Sequence, residues 1–242
     1  MEFYKLEATG NDFIVTILED VTNLNIKELC DRQKGIGADG LINIDPYYNV
    51  SFFNADGSNA NMCGNGLRCV SKLLYFLTKK KDNCVYINNV ETNIKQVKDN
   101  FSCITMPSLF MVKQNDYYLV NVSNQHMIIL TNDAINYEFS ELQINYSTKN
   151  KCNITALEII DRRNIKIKTY EYGVGITKSC GSASISSFYV SYMLDKVDSK
   201  VNVHQLGGAT ICEYKDGKYY LSGEVNLIYK GELYGNDWFN IQ

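Results

Sequence analysis

Short apolar runs, rich in β-branched and aromatic residues and broken by turn residues, recur along the 242-residue chain. They predict strands at Glu2–Leu6, Phe13–Leu18, Leu41–Ile44, Val50–Phe53, Val85–Asn88 and Cys103–Met106. Further runs fall at Tyr117–Val122, Met127–Thr131, Thr155–Ile160, Ile165–Tyr170, Val201–His204, Ala209–Glu213 and Tyr219–Tyr229. Helical spacing is rarer. Within Gly64–Lys79 the residues Leu67, Val70, Leu74 and Leu77 recur at 3-4-3 spacing; within Gly181–Leu194, Ile185, Phe188, Tyr189 and Tyr192 form one stripe. Ile26–Gln33 is a shorter helix candidate. The two long helices are dense in apolar residues, so each is expected inside a curved sheet.

The pattern repeats. Asn11 precedes Cys63-Gly64 by 52 residues, and Asn124 precedes Cys180-Gly181 by 56. In each half a strand leads to a glycine-containing loop, then Cys-Gly, then a long helix. The loops are Asn54-Ala55-Asp56-Gly57-Ser58 and Glu171-Tyr172-Gly173-Val174-Gly175. A duplication is the natural reading. The expected fold is α+β: two pseudo-symmetric halves, each a curved, mostly antiparallel sheet around a central helix. Residues 1–110 with 224–242 form the first half, residues 111–223 the second, and the active site lies in the cleft between them.

Composition narrows the function. A net charge of −3 gives no electrostatic footprint for nucleic acid, and Lys79-Lys80-Lys81, the basic run, reads as a solvated helix end. No apolar run reaches the ~18 residues of a membrane span. The N-terminus carries charges in a strand-like pattern and does not read as a signal peptide. A cytoplasmic location is expected, where the eight cysteines stay thiols. Without a C-x(2–4)-C pair, and with two histidines, no metal site is expected. Cys30, Cys69, Cys84, Cys103, Cys152 and Cys212 read as small buried hydrophobes. Gly35-Ile36-Gly37-Ala38-Asp39-Gly40 satisfies G-x-G-x-x-G, but a polar helical stretch precedes it and a strand follows. That inverts the dinucleotide-binding context and leaves a glycine-rich turn.

The chemistry concentrates at Cys63-Gly64-Asn65-Gly66 and Cys180-Gly181-Ser182-Ala183. A helix N-terminus offers N–H groups and a positive dipole end that suit a carboxylate, and the same field favours thiolate over thiol. Two such cysteines suit proton abstraction on one face of a carbon and delivery on the other. A cysteine hydrolase using His126 or His204 as base, and a non-catalytic amino-acid-binding protein, are the alternatives from other classes.

Several blocks of this chain resemble the diaminopimelate epimerase family. They are Gly10-Asn11-Asp12-Phe13, Gly35 to Leu41, and Phe53-Asn54-Ala55-Asp56-Gly57-Ser58 through Cys63-Gly64-Asn65-Gly66-Leu67-Arg68-Cys69. Tyr170-Glu171, Gly173-Val174-Gly175 and Cys180-Gly181-Ser182 resemble its second signature. The resemblance implies an amino acid racemase or epimerase that uses no cofactor. Cys63 and Cys180 would exchange the roles of base and acid. The α-carboxylate would rest on the N–H groups of Gly64, Asn65, Gly181 and Ser182. Asn11, Asn54, Asn124, Asn153 and Glu171 would line the pocket, with His126 in support. The implied partner is a small amino acid, with no nucleic acid or membrane; the resemblance also implies a homodimer.

The second half departs from the family pattern. Tyr172 stands where the family carries an Arg that reads the distal carboxylate of diaminopimelate, and a phenol cannot replace a guanidinium fork. Ser123-Asn124-Gln125-His126 and Leu206-Gly207-Gly208 lack the family's prolines. The expected substrate is therefore a single-carboxylate amino acid such as histidine, with diaminopimelate or lanthionine as the alternative. Arg162 and Arg163 are the candidates to compensate, although a strand turn exposes them.

Overall fold

A computed structural model describes residues 1–60, 62–234 and 238. The chain divides into two compact units, Met1–Ile104 with Glu224–Gln242, and Thr105–Gly223. The first crossing falls at Ile104/Thr105, where the sequence reading put it after residue 110. Residues 235–237 and 239–242 of the expected first half lie outside the described residues.

In the first unit β1 (Glu2–Ala8) and β2 (Asn11–Thr16) form a hairpin. Helix α1 (Ile26–Cys30) crosses over to β3 (Gly40–Ile44), which runs parallel to β2; β4 (Val50–Asn54) and β5 (Asn59–Ala60) follow antiparallel. The late strand Asn226–Glu232 closes onto β1. After helix α2 (Gly64–Thr78) comes a meander of β6 (Asp82–Ile87), β7 (Val90–Lys98) and β8 (Phe101–Met106).

The second unit repeats this order. After β9 (Phe110–Lys113), strands β10 (Tyr118–Asn121) and β11 (Gln125–Leu130) form the hairpin. Helix α3 (Glu141–Asn150) crosses over to β12 (Cys152–Asp161), parallel to β11. Next come β13 (Asn164–Glu171) and the short β14 (Gly175–Thr177), both antiparallel. Helix α4 (Gly181–Met193) then leads to β15 (Lys200–Gln205), β16 (Gly208–Lys215) and β17 (Lys218–Glu224).

Even the register repeats. Phe13 pairs with Gly40, and Gly40 with Asn54. In the second unit His126 pairs with Asn153, and the pairing of Ile154 with Tyr170 carries Asn153 to Glu171. Asn54 and Glu171 therefore end equivalent strands, each nine residues ahead of a cysteine.

Each long helix is the core of its unit. Along α2, Leu67, Cys69, Val70, Leu73 and Leu74 are buried, whereas Leu77, placed on the stripe by its spacing, is exposed in the last turn. Along α4, Ile185 and Phe188 are buried as expected, but so are Ser184, Ser186, Ser187 and Ser191. A helix covered almost all round loses its polar face, and small side chains fill that side. No helix of the described residues is long and apolar enough to cross a membrane.

Three further expectations change, and two longer elements appear where the sequence pattern predicts none. Helix Ile26–Gln33 stops at Cys30, and Asp31 adopts an extended conformation. The run Tyr219–Tyr229 is two strands, broken at the buried Val225, whose N–H bonds Asn100 O at 3.2 Å. Strand β7 and helix α3 lack an apolar pattern: β7 buries Ile94 and Gln96, α3 buries Ser147, and α3 starts on a Ser140–Gln143 capping box. Cys84 and Cys103 are half-buried rather than core residues.

The glycines of the G-x-G-x-x-G stretch have packing reasons. A Cβ at Gly40 would stand 2.4 Å from Phe53 O, and Gly37 has φ +77. Backbone runs against backbone here.

Candidate active site

The first unit places Cys63 at the N-terminus of α2. Cys63 is the N-cap, in extended conformation, and its Sγ accepts the Gly66 N–H at 3.3 Å. The first helical N–H groups of any helix lack intrahelical partners. That donor and the helix dipole stabilise negative charge on the sulfur. Gly64 and Asn65 follow, both buried. The Asn65 side chain turns inward, its Oδ1 accepting from Arg68 Nη2 at 2.6 Å. Asn11 opens β2 and brings its Oδ1 to 4.0 Å from Cys63 Sγ. Asn54, at the end of β4, is exposed and folds onto its own turn, Nδ2 donating to Ser58 Oγ at 2.9 Å.

The second unit builds the counterpart on α4. Cys180 caps the helix with nearly the same backbone, φ −135 and ψ 114 against −129 and 113 at Cys63. It is buried, its N–H donates to Gln205 Oε1 at 2.8 Å, and its Sγ lies 3.3 Å from Ser182 Oγ. Ser182 Oγ in turn lies 3.0 Å from His126 Nε2. The same nitrogen is 3.2 Å from Asn124 Oδ1 and 3.5 Å from Asn153 Nδ2. Asn153 Oδ1 accepts the Tyr172 N–H at 3.0 Å, which fixes the start of the Glu171–Gly175 loop. Glu171 accepts from Thr177 Oγ1 at 2.6 Å. Hydrogen bonds thus join Cys180, Ser182, His126, Asn124, Asn153 and Tyr172 of the expected set. Gln205, Thr177 and, in the first unit, Asp39 were not anticipated as site residues; Gln205 and Asp39 fall within or beside glycine-rich stretches.

His126 is fully buried, and burial holds its pKa down at about 3, so the ring is neutral. Of the two histidines, His204 bonds Asn164 Oδ1 at 3.1 Å on the sheet. Among the other cysteines, burial pushes the Cys30 and Cys152 thiols up to about 11 and raises Cys69 as well. Those sulfurs are inert at neutral pH.

Arg162 and Arg163 do not stand in for the missing guanidinium. They form the turn between β12 and β13, where Arg162 binds Asp195 and Asp198 and Arg163 reaches Asp198. Glu171 and Tyr172 are at the other end of β13, more than about 20 Å away at ~3.3 Å per residue. Tyr172 is 41% exposed.

Comparison with known proteins agrees with this architecture. Residues 3–106 match the family model for diaminopimelate epimerase. The diaminopimelate epimerase of Methanococcus aeolicus is 32% identical, over 97% of this chain and 99% of its own. That of Campylobacter jejuni serotype O:6 is 30% identical over 95% and 98%. Among solved structures, a phenazine biosynthesis protein of the PhzF family from Bacillus anthracis has TM-score 0.72 at 11% identity, covering 97% and 99%. A hydroxyproline epimerase from Agrobacterium vitis, solved with trans-4-hydroxy-L-proline, has TM-score 0.71 at 10% identity, covering 96% and 90%. The protein is an isomerase of the racemase and epimerase class. The chain belongs to the diaminopimelate epimerase family.

Proposed function

We propose that the protein inverts the α-carbon of an amino acid with Cys63 and Cys180 as the two acid–base groups, and that diaminopimelate is the amino acid. The observation that carries the chemistry is the repeated device: two cysteines, each capping a buried helix, each nine residues after the end of an equivalent strand. The relatives named diaminopimelate epimerase, similar over nearly the whole chain, support the substrate.

In this scheme one sulfur, as thiolate, takes the α-proton, and the other, as thiol, gives a proton to the opposite face. Charge that develops at the α-carbon spreads into the α-carboxylate. The helix N-termini at Gly64-Asn65 and Gly181-Ser182 offer N–H donors suited to that charge, so no electron sink is required. Inversion leaves the two sulfurs with exchanged protonation, ready for the reverse direction. The cytoplasm is the proposed compartment, since the thiols must stay reduced.

Tyr172 favours a second reading, in which the substrate carries one carboxylate and a neutral or aromatic side chain, as histidine does. A phenol hydroxyl offers one hydrogen bond where a guanidinium offers a bidentate, charge-assisted pair.

The experiment is α-deuterium uptake in D₂O by LL- and meso-diaminopimelate, lanthionine, and single L-amino acids including histidine. Exchange with inversion on diaminopimelate is the expected result. Exchange on histidine but not on diaminopimelate selects the second reading. No exchange on any amino acid overturns both.

A further inference from the structure

The Asn11 carboxamide is held from behind by charge. Its Nδ2 donates to Asp39 Oδ2 at 2.6 Å, and the other Asp39 oxygen accepts from Arg32 Nη2 at 2.7 Å. Arg32 also grips Asp12, Nη1 to Oδ2 at 3.1 Å and Nη2 to Oδ1 at 2.6 Å. Lys5 Nζ lies 2.6 Å from the same Asp12 carboxylate. Two backbone bonds tie the pieces together: Asp12 N–H to Asp39 Oδ2 at 3.1 Å, and Asp39 N–H to Asp12 O at 2.9 Å. Two cations and two anions thus close a network joining β1, β2 and the loop before β3.

A carboxamide has a donor end and an acceptor end of nearly equal size, so its orientation is decided by its partners. An ionised carboxylate only accepts. Asp39 therefore takes the nitrogen, and the oxygen is the end left toward Cys63, 4.0 Å from its sulfur. The neighbouring cations keep Asp12 ionised: hydrogen bonds and charge from Arg32 and Lys5 hold it well below the usual range, against the opposing effect of burial.

We propose that Asp39, braced by Arg32, is a positioning residue that fixes the Asn11 carboxamide with its oxygen toward Cys63. A substrate at that face then meets a fixed acceptor, not an amide free to turn over. The inference rests on the reading that Asn11 and Cys63 serve one reaction.

The test is a double-mutant comparison on diaminopimelate, or on histidine if that is the amino acid that exchanges. Asn11→Ala, Asp39→Ala and the double variant are measured for kcat/KM, with thermal midpoints taken alongside. Each single substitution is expected to lose about 100-fold, the size of a misplacement of a reacting group. The double variant is expected to lose no more than Asn11→Ala, because Asp39 supports a group already gone. Asp39→Asn, whose amide oxygen still accepts, recovers part of the loss. Should Asp39→Ala fail to fold, Arg32→Gln replaces it: its smaller loss must vanish in the Asn11→Ala background. Losses that multiply, or an Asp39→Ala enzyme as active as wild type beside a crippled Asn11→Ala, overturn the positioning role and leave the site reading standing. Full activity in Asn11→Ala overturns the site reading, and the proposal with it.

Discussion

His126 Nε2 stands 3.0 Å from Ser182 Oγ, and that hydroxyl stands 3.3 Å from Cys180 Sγ. The ring is neutral and carries one hydrogen. Its Nε2 is also 3.2 Å from Asn124 Oδ1, an acceptor, and 3.5 Å from Asn153 Nδ2, a donor. The buried Nδ1 has no hydrogen-bond partner among the described residues. Ser182 Oγ thus lies within hydrogen-bond reach of both the ring nitrogen and the sulfur, and a serine hydroxyl can donate to a thiolate. Removing the hydroxyl takes a donor away from charge that develops in the reaction. Ser182→Ala is expected to lower kcat by about 100-fold with the thermal midpoint little changed. Steady-state kinetics with circular dichroism as the readout of inversion checks this.

The same histidine predicts a pH dependence of stability. Burial holds its folded-state pKa at about 3, below the ordinary 6.5. As pH falls below 6.5 the unfolded chain takes up a proton that the native chain refuses. Native stability therefore declines between pH 6.5 and about 3. Asp12, held low by Arg32 and Lys5, adds its own loss only below its ordinary 3.8. Urea unfolding at pH 7.5, 6.5, 5.5 and 4.5 reads the slope. The His126→Gln variant should show a flatter dependence over this range; an unchanged slope refutes the assignment.

Tyr172→Arg tests what the loop after β13 recognises. A guanidinium would restore a bidentate partner for a distal carboxylate. KM for diaminopimelate is expected to fall by about tenfold, the worth of ~1.4 kcal/mol from one charge-assisted bond. KM for histidine should not fall. Progress curves for both amino acids with wild type and variant make the comparison.

Gly40→Ala tests the packing reading of the glycine-rich stretch. A Cβ there meets a backbone carbonyl, Phe53 O, at 2.4 Å, so strands β3 and β4 must separate. A loss of roughly 1–3 kcal/mol is expected from the overpacking. Chemical denaturation measures it, and a stability equal to wild type would mean that the sheet yields freely.

Much of this was legible in the chain because its signals are local. The Cys-Gly-x-x start of a helix shows in four residues, and α2 and α4 have both the length and the apolar density that a buried helix needs. The strand runs around Val15, Ile42 and Ile154 show for the same reason: both faces are covered, so the residues are mostly apolar; β13 shows instead by alternation, with Ile165 and Ile167 buried between half-buried lysines. What stayed hidden depends on residues distant in sequence. Strand β7 is mostly polar and is recognisable only through its partners β6 and β8. Helix α3 is mostly solvent-facing, so its marker was the cap at Ser140 and not its periodicity. Gln205 reaches Cys180 from 25 residues away, and Asp39 reaches Asn11 from 28; the glycine-rich stretches beside them are local signals, but they do not name those partners.

The most direct measurement is inversion and α-deuterium uptake in D₂O by wild type, Cys63→Ala and Cys180→Ala on the amino acid that wild type turns over. Both variants are predicted to fold as wild type and to lose inversion by about 1000-fold or more, within the range for removal of a positioned acid or base. Inversion at the wild-type rate by either variant would contradict the account.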